Sequence, residues 1–78
     1  MTITMDELLE VVRVQLGATA VRPEHRFQED LDAESADLLN IVAVAEDRWG
    51  ITIGEEELIE LATVNDLFDM VRNRTGTP

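Results

Sequence analysis

Apolar positions recur at helical spacing in three separate stretches of this chain. In the first, Leu8, Val11, Val12 and Leu16 share one face. Thr4-Met5-Asp6-Glu7, just ahead of them, has the form of a capping box, with Thr4 and Glu7 placed to satisfy each other's backbone N–H groups. Gly17 suits the left-handed position that ends a helix. The pattern predicts a helix over 4–16. In the second stretch Leu38, Ile41, Val42, Ala45 and Trp49 form a stripe, with Leu39 beside it, while Asp37, Asn40, Glu46 and Asp47 lie away from it. Gly50 closes this helix, predicted over 35–49, and the acids Asp32, Glu34 and Asp37 around its start complement the helix dipole. In the third, Thr63-Val64-Asn65-Asp66 repeats the capping signal ahead of Leu67, Phe68, Met70 and Val71. A helix over about 64–73 follows, with residues 74–78 expected to fray.

The intervening segments lack that period. Residues 17–34 contain Pro23 and a mixed polar sequence, so they form a long loop pinned by Val21, Phe27 and Leu31. Ile51-Thr52-Ile53 alternates like a strand but has nothing to pair with, so it is an extended connector that buries its isoleucines. A short third helix covers 55–61. The fold class is all-α: a small antiparallel four-helix bundle, three main helices plus the short third one, with a long loop between helices 1 and 2. Residues 1–78 form a single domain. A chain of this length buries only about 60% of its unfolded surface, enough for one small core and too little for a deep catalytic cleft.

Charge adds a constraint. The net charge is −11, from 17 acids against six arginines and no lysine. Between residues 29 and 60 eleven acids face Arg48 alone. Nucleic acid and anionic membrane are poor partners for such a surface, because phosphate binding needs cations. Basic protein surfaces are good ones. An acidic face kept for solubility is the alternative on charge alone. Like charge also favours a monomer. There is no cysteine, which excludes disulfides and thiolate chemistry, and no apolar run approaches the length of a membrane span. Residues 1–20 carry Asp6, Glu7 and Glu10 and do not resemble a signal peptide, so a cytoplasmic location is expected.

Candidate chemistry is sparse. His25 is the only histidine and is expected to be exposed or to pack in the loop. Asp30, Asp32 and Glu34 lack the spacing of a calcium loop, and no metal site is expected. An enzyme is not expected. What stands out is Ser35, the only serine, at the start of the second helix. A serine there is commonly a simple N-cap. An exposed hydroxyl at a helix N-terminus is equally placed to carry a phosphate-linked group. The two roles are compatible.

The run Phe27-x-Glu29-Asp30-Leu31-x-Ala33-Glu34-Ser35-x-Asp37, followed by Glu46-Asp47-x-Trp49-Gly50-Ile51-x-Ile53 and by Thr63-Val64-Asn65-Asp66-Leu67, resembles the acyl carrier proteins over essentially the whole chain. The resemblance implies a helical bundle whose motif serine, here Ser35, carries 4′-phosphopantetheine, attached covalently from coenzyme A by a phosphopantetheinyl transferase. Acyl intermediates of fatty-acid, lipid or polyketide-type biosynthesis would then ride as thioesters on the arm. It also implies that an acidic second helix docks on basic patches of acyl-loading, elongating or acyl-transfer enzymes. The matching partner-binding positions are Asp32, Glu34, Ala36, Asp37, Asn40, Glu46 and Asp47. Leu38, Leu39, Val42, Ala45, Ile53, Leu58, Leu61 and Phe68 are the candidate walls of an acyl pocket between helices.

The chain departs from the family's pattern at several of these positions. Asp32 replaces the usual Gly, Glu34 the usual Asp and Ala36 the usual Leu, while Asn40 stands where Glu is common and Ala45 where a larger aliphatic is common. These departures point to a specialised rather than a housekeeping carrier. Ala36, Ala43 and Ala45 leave open either a wider cavity or compensating packing by Leu38, Leu39 and Trp49. Two alternatives stand beside the acyl carrier: an acidic interaction module with the fold but no prosthetic group, and a peptidyl or aminoacyl carrier.

Overall fold

A computed structural model describes residues 3–75. Three α-helices, α1 (Met5–Leu16), α2 (Ser35–Trp49) and α3 (Val64–Arg74), are joined by the long loop and by a connector that holds a 3₁₀ helix, Glu55–Glu60. The local signals act as their chemistry requires. Thr4 caps α1 through its hydroxyl, which accepts the Glu7 N–H at 3.2 Å, while the Glu7 carboxylate accepts the Thr4 N–H at 3.0 Å. Thr63 and Asp66 repeat the arrangement at α3, at 3.1 and 2.9 Å. Gly17 and Gly50 end α1 and α2 at φ 65°, a region where a Cβ would be strained. The expected short third helix is of the tighter 3₁₀ type.

Burial follows the predicted stripes. Leu8 and Val12 of α1, Ile41 of α2 and Val64, Leu67 and Val71 of α3 are fully buried, and α1 packs against both α2 and α3. Ile51 and Ile53 are buried in an extended connector. No charged or polar residue is buried among the described residues.

Two features depart from the sequence expectation. The long loop is tied to the start of α3 by backbone bonds: Phe27 N–H to the Ala62 carbonyl at 3.0 Å, Val64 N–H to His25 at 3.0 Å and Asn65 N–H to Pro23 at 2.9 Å. Arg26 and Thr63 form an isolated antiparallel bridge within this contact. Such pairing joins segments far apart in sequence and has no local period. The fraying expected from residue 74 onward does not include Arg74. Arg74 lies inside α3, anchored by bonds to Thr52 and Glu57. The rest of the expected fraying, over 76–78, lies outside the described residues.

Several carboxylates depend on being ionised. Glu7 is held below the ordinary range first by the Thr4 N–H and then by the Thr4 hydroxyl, Glu10 by Arg13, and Glu57 by Arg74 and then the Gly54 N–H. These groups bind protons less readily in the folded state than in the unfolded one. Their contribution to stability is therefore complete above the ordinary value of 4.5 and is lost as pH falls through the lowered values. Denaturant titrations below that pH should give a shallower loss of stability with acid in Glu7→Gln than in the wild type. Identical slopes would show that the capping box contributes no pH dependence.

Candidate functional site

The second helix begins at the Glu34 carbonyl, which accepts the Leu38 N–H at 3.0 Å. Glu34 is therefore the cap residue, and Ser35 is the first residue inside the helix rather than its N-cap. Capping at this end falls to Asp37, whose carboxylate accepts the Glu34 N–H at 3.0 Å. The Ser35 hydroxyl is left out of the cap, on an exposed residue. The loop that delivers it is tightly wound. Asp30 accepts the Arg26 N–H at 2.8 Å, and the Ala33 N–H reaches back to the Phe27 carbonyl at 2.8 Å. Phe27, 1% exposed, roots this knot in the core.

Within the knot Asp32 adopts φ 55°, the left-handed region. Glycine occupies that region freely, whereas an L-residue pays about 1–2 kcal/mol there, less for Asp and Asn. The backbone thus retains the conformation that suits a glycine although the residue is an aspartate.

A cleft of about 470 Å3 opens beside Ser35. Leu38 and Leu39 of α2 form one side, and Leu58, Ile59 and Leu61 form the other. Phe27 and Ala33 contribute from the loop. Of the expected pocket residues, Leu38, Leu39, Leu58 and Leu61 are therefore brought together. Val42, Ala45 and Ile53 lie in the core, and Phe68 packs against it, so none of the four lines this cleft. Neither do the three small residues: Ala36 and Ala43 are exposed and Ala45 is fully buried. Phe27, Ala33 and Ile59 were not expected as walls. Phe27 and Ala33 stand in the motif, but nothing in the sequence shows which way a short 3₁₀ helix presents Ile59.

The expected partner-facing residues divide in two. Asp32, Glu34, Ala36, Asn40 and Asp47 are exposed. Asp37 and Glu46 are half-buried and hold backbone: Asp37 caps α2, and Glu46 accepts the Ile53 N–H at 2.8 Å, tying the connector to α2. Arg48 turns away towards Glu7 of α1, at 3.7 Å, and lies over the Trp49 ring, 5.3 Å from its centroid. His25 closes a turn, its Nδ1 accepting the Arg22 N–H at 3.0 Å. No cluster of potential metal ligands is found among the described residues. Among the described residues, no helix is long and apolar enough to cross a membrane.

Residues 6–71 match the family model of the phosphopantetheine attachment site. The chain is 39% identical to the acyl carrier protein of Myxococcus xanthus over 66 residues, 82% of this chain and 84% of that one. It is 32% identical to the acyl carrier protein of Acidothermus cellulolyticus over 81 residues, 96% of each. The chain belongs to the acyl carrier proteins. It is a carrier and not an enzyme, and its prosthetic group is covalently attached 4′-phosphopantetheine. The fold agrees with solved carriers at lower identity. The solution structure of the 3,5-dioxohexyl acyl carrier protein from the actinorhodin polyketide synthase of Streptomyces coelicolor superimposes with a TM-score of 0.80 at 23% identity, over 96% of this chain and 93% of that one. The oxytetracycline acyl carrier protein gives 0.77 at 23% identity, over 100% of this chain and 90% of that one.

The residues present fit the family's group. An exposed hydroxyl not used in capping borders a cleft with leucine side chains on two sides, on the first turn of a helix whose dipole favours a phosphodiester. When bound, the group supplies a terminal thiol for thioester formation in a chain that has no cysteine. The carrier's loop also makes a stability prediction. Asp32→Gly should stabilise the protein by about 0.5–1 kcal/mol and Asp32→Ala should destabilise it, as read from urea unfolding midpoints. A destabilised glycine variant would mean that the aspartate side chain compensates for its backbone.

Proposed function

We propose that this chain is a specialised acyl carrier in which Ser35 bears the phosphopantetheine arm. The observation that carries the assignment is the position of the only serine: exposed, free of the cap and at the rim of the cleft. A phosphopantetheinyl transferase needs access to one hydroxyl and nothing from the carrier to activate it. Acyl intermediates of fatty-acid, lipid or polyketide-type biosynthesis would lie against Leu38, Leu39, Leu58 and Leu61.

The specialised reading rests on the surface around Ser35. Ala36 is exposed and offers a methyl group where carriers usually offer a leucine, and Asn40 is exposed and uncharged where an acid is common. Glu34 and Asp47, with Asp32 on the loop, remain to meet basic patches on partner enzymes. The carrier works as a cytoplasmic, single-domain monomer in this reading.

Two measurements test it. Incubation with coenzyme A and a broad-specificity phosphopantetheinyl transferase should add the mass of one arm to the wild type and none to Ser35→Ala. Without any gain the acidic interaction module becomes the better reading, and loading by aminoacyl rather than acyl donors would favour a peptidyl carrier. In the second, Ala36→Leu should increase elongation by a general fatty-acid synthase system roughly tenfold, the effect of one recovered apolar contact of about 1.4 kcal/mol. Efficient elongation of the unaltered protein would end the specialised assignment.

A further inference from the structure

The 3₁₀ helix Glu55–Glu60 supplies one wall of the cleft, yet none of its own residues is buried. Leu58 is half-buried and Ile59 is 89% exposed. Hydrophobic burial therefore holds this wall weakly, and such segments open locally at low free-energy cost.

Polar bonds replace the missing burial, and they converge on one arginine. Arg74, in the last turn of α3, donates through Nη1 to Glu57 Oε2 at 2.8 Å and to the Thr52 carbonyl at 2.7 Å. Its Nη2 pairs with Glu57 Oε1. The same Glu57 carboxylate accepts the Gly54 N–H at 2.9 Å. The fork thus joins α3, the connector and the 3₁₀ helix at once. Other ion pairs among the described residues differ in kind. Arg13–Glu10, Arg26–Glu29 and Arg72–Asp69 each join residues three apart. Arg48–Glu7 links α1 to α2 without touching the cleft wall. The Arg74–Glu57 pair is also the least exposed of the five, with side chains 34% and 24% accessible against 40–68% for the rest.

We propose that Arg74 and Glu57 are positioning residues for the acyl cargo: their ion pair clamps the 3₁₀ helix against α3 and so sets how far the cleft wall stands from α2. This rests on the cleft being the cargo site. With the clamp intact the wall shields a chain lying between Leu39 and Leu58; with it broken the wall lifts and the chain is exposed. Neither residue touches the arm's attachment point, so the clamp acts on shielding and not on loading.

The test has two arms, the first independent of any prosthetic group. Amide hydrogen exchange on the unmodified chain follows the Glu57 and Leu61 N–H groups, which bond to the Gly54 and Leu58 carbonyls. Arg74→Gln and Glu57→Gln should each speed their exchange about three- to fivefold, with the double variant no faster than either single one and the amides of α1 and α2 unchanged. Unaltered exchange, or equal acceleration throughout the protein, would overturn the clamp. In the second arm a saturated medium-length acyl thioester is loaded on wild type and Arg74→Gln, and its hydrolysis is timed. Faster hydrolysis by a similar factor is expected, and equal hydrolysis would refute the shielding role. Failure of both proteins to load would count against Ser35 attachment alone, with the clamp still decided by exchange.

Discussion

Burial of Phe27 is the constraint on which the site depends. A loop of eighteen residues separates α1 from α2, and without an anchor its closure would leave Ser35 at an undefined position. The phenylalanine ring enters the core, and its backbone N–H pairs with Ala62 across the bundle. Bonds from Val64 and Asn65 to His25 and Pro23 extend the same seam. The loop then folds back on itself through Arg26, Asp30 and Ala33 and releases the chain into α2 at Glu34. One buried ring thus fixes both the wall of the cleft and the approach of the serine.

Electrostatics divides the molecule by use. Among the described residues, five arginines are paired with carboxylates on the outer helices, the loop and the clamp. Arg48, the one cation in the acidic span, is drawn to Glu7 and stacked on Trp49, so it does little to offset the exposed acids of α2. Asp37 and Glu46 show that acidity has a second use. Each holds a backbone N–H that would otherwise go unpaired, one at the start of the helix and one just beyond its end. A carboxylate on this helix is therefore not automatically a docking charge.

The helices were legible to within a residue because their signals are local. Thr4 with Glu7 and Thr63 with Asp66 satisfy the first N–H groups of a helix through contacts three residues apart, and glycine at Gly17 and Gly50 takes the left-handed turn without strain. The motif around the lone serine also carried the resemblance to the family that the chain belongs to. The cleft was half legible: Leu38, Leu39, Leu58 and Leu61 meet there, whereas Val42, Ala45 and Ile53 serve the core. A helical stripe shows that residues face inward but not which of them border a gap.

Hydrophobic spacing and capping chemistry in the sequence thus determined the elements, their order and the acidic surface around one hydroxyl. Tertiary structure alone decided that Glu34 and not Ser35 caps α2, that Asp32 takes a glycine conformation and that Arg74 reaches across to Glu57. The reason is physical. Helical period depends on neighbours three or four residues away, whereas the Arg74–Glu57 contact spans 17 residues and the backbone at Asp32 and Glu34 follows from how the long loop folds back on Phe27 before entering α2.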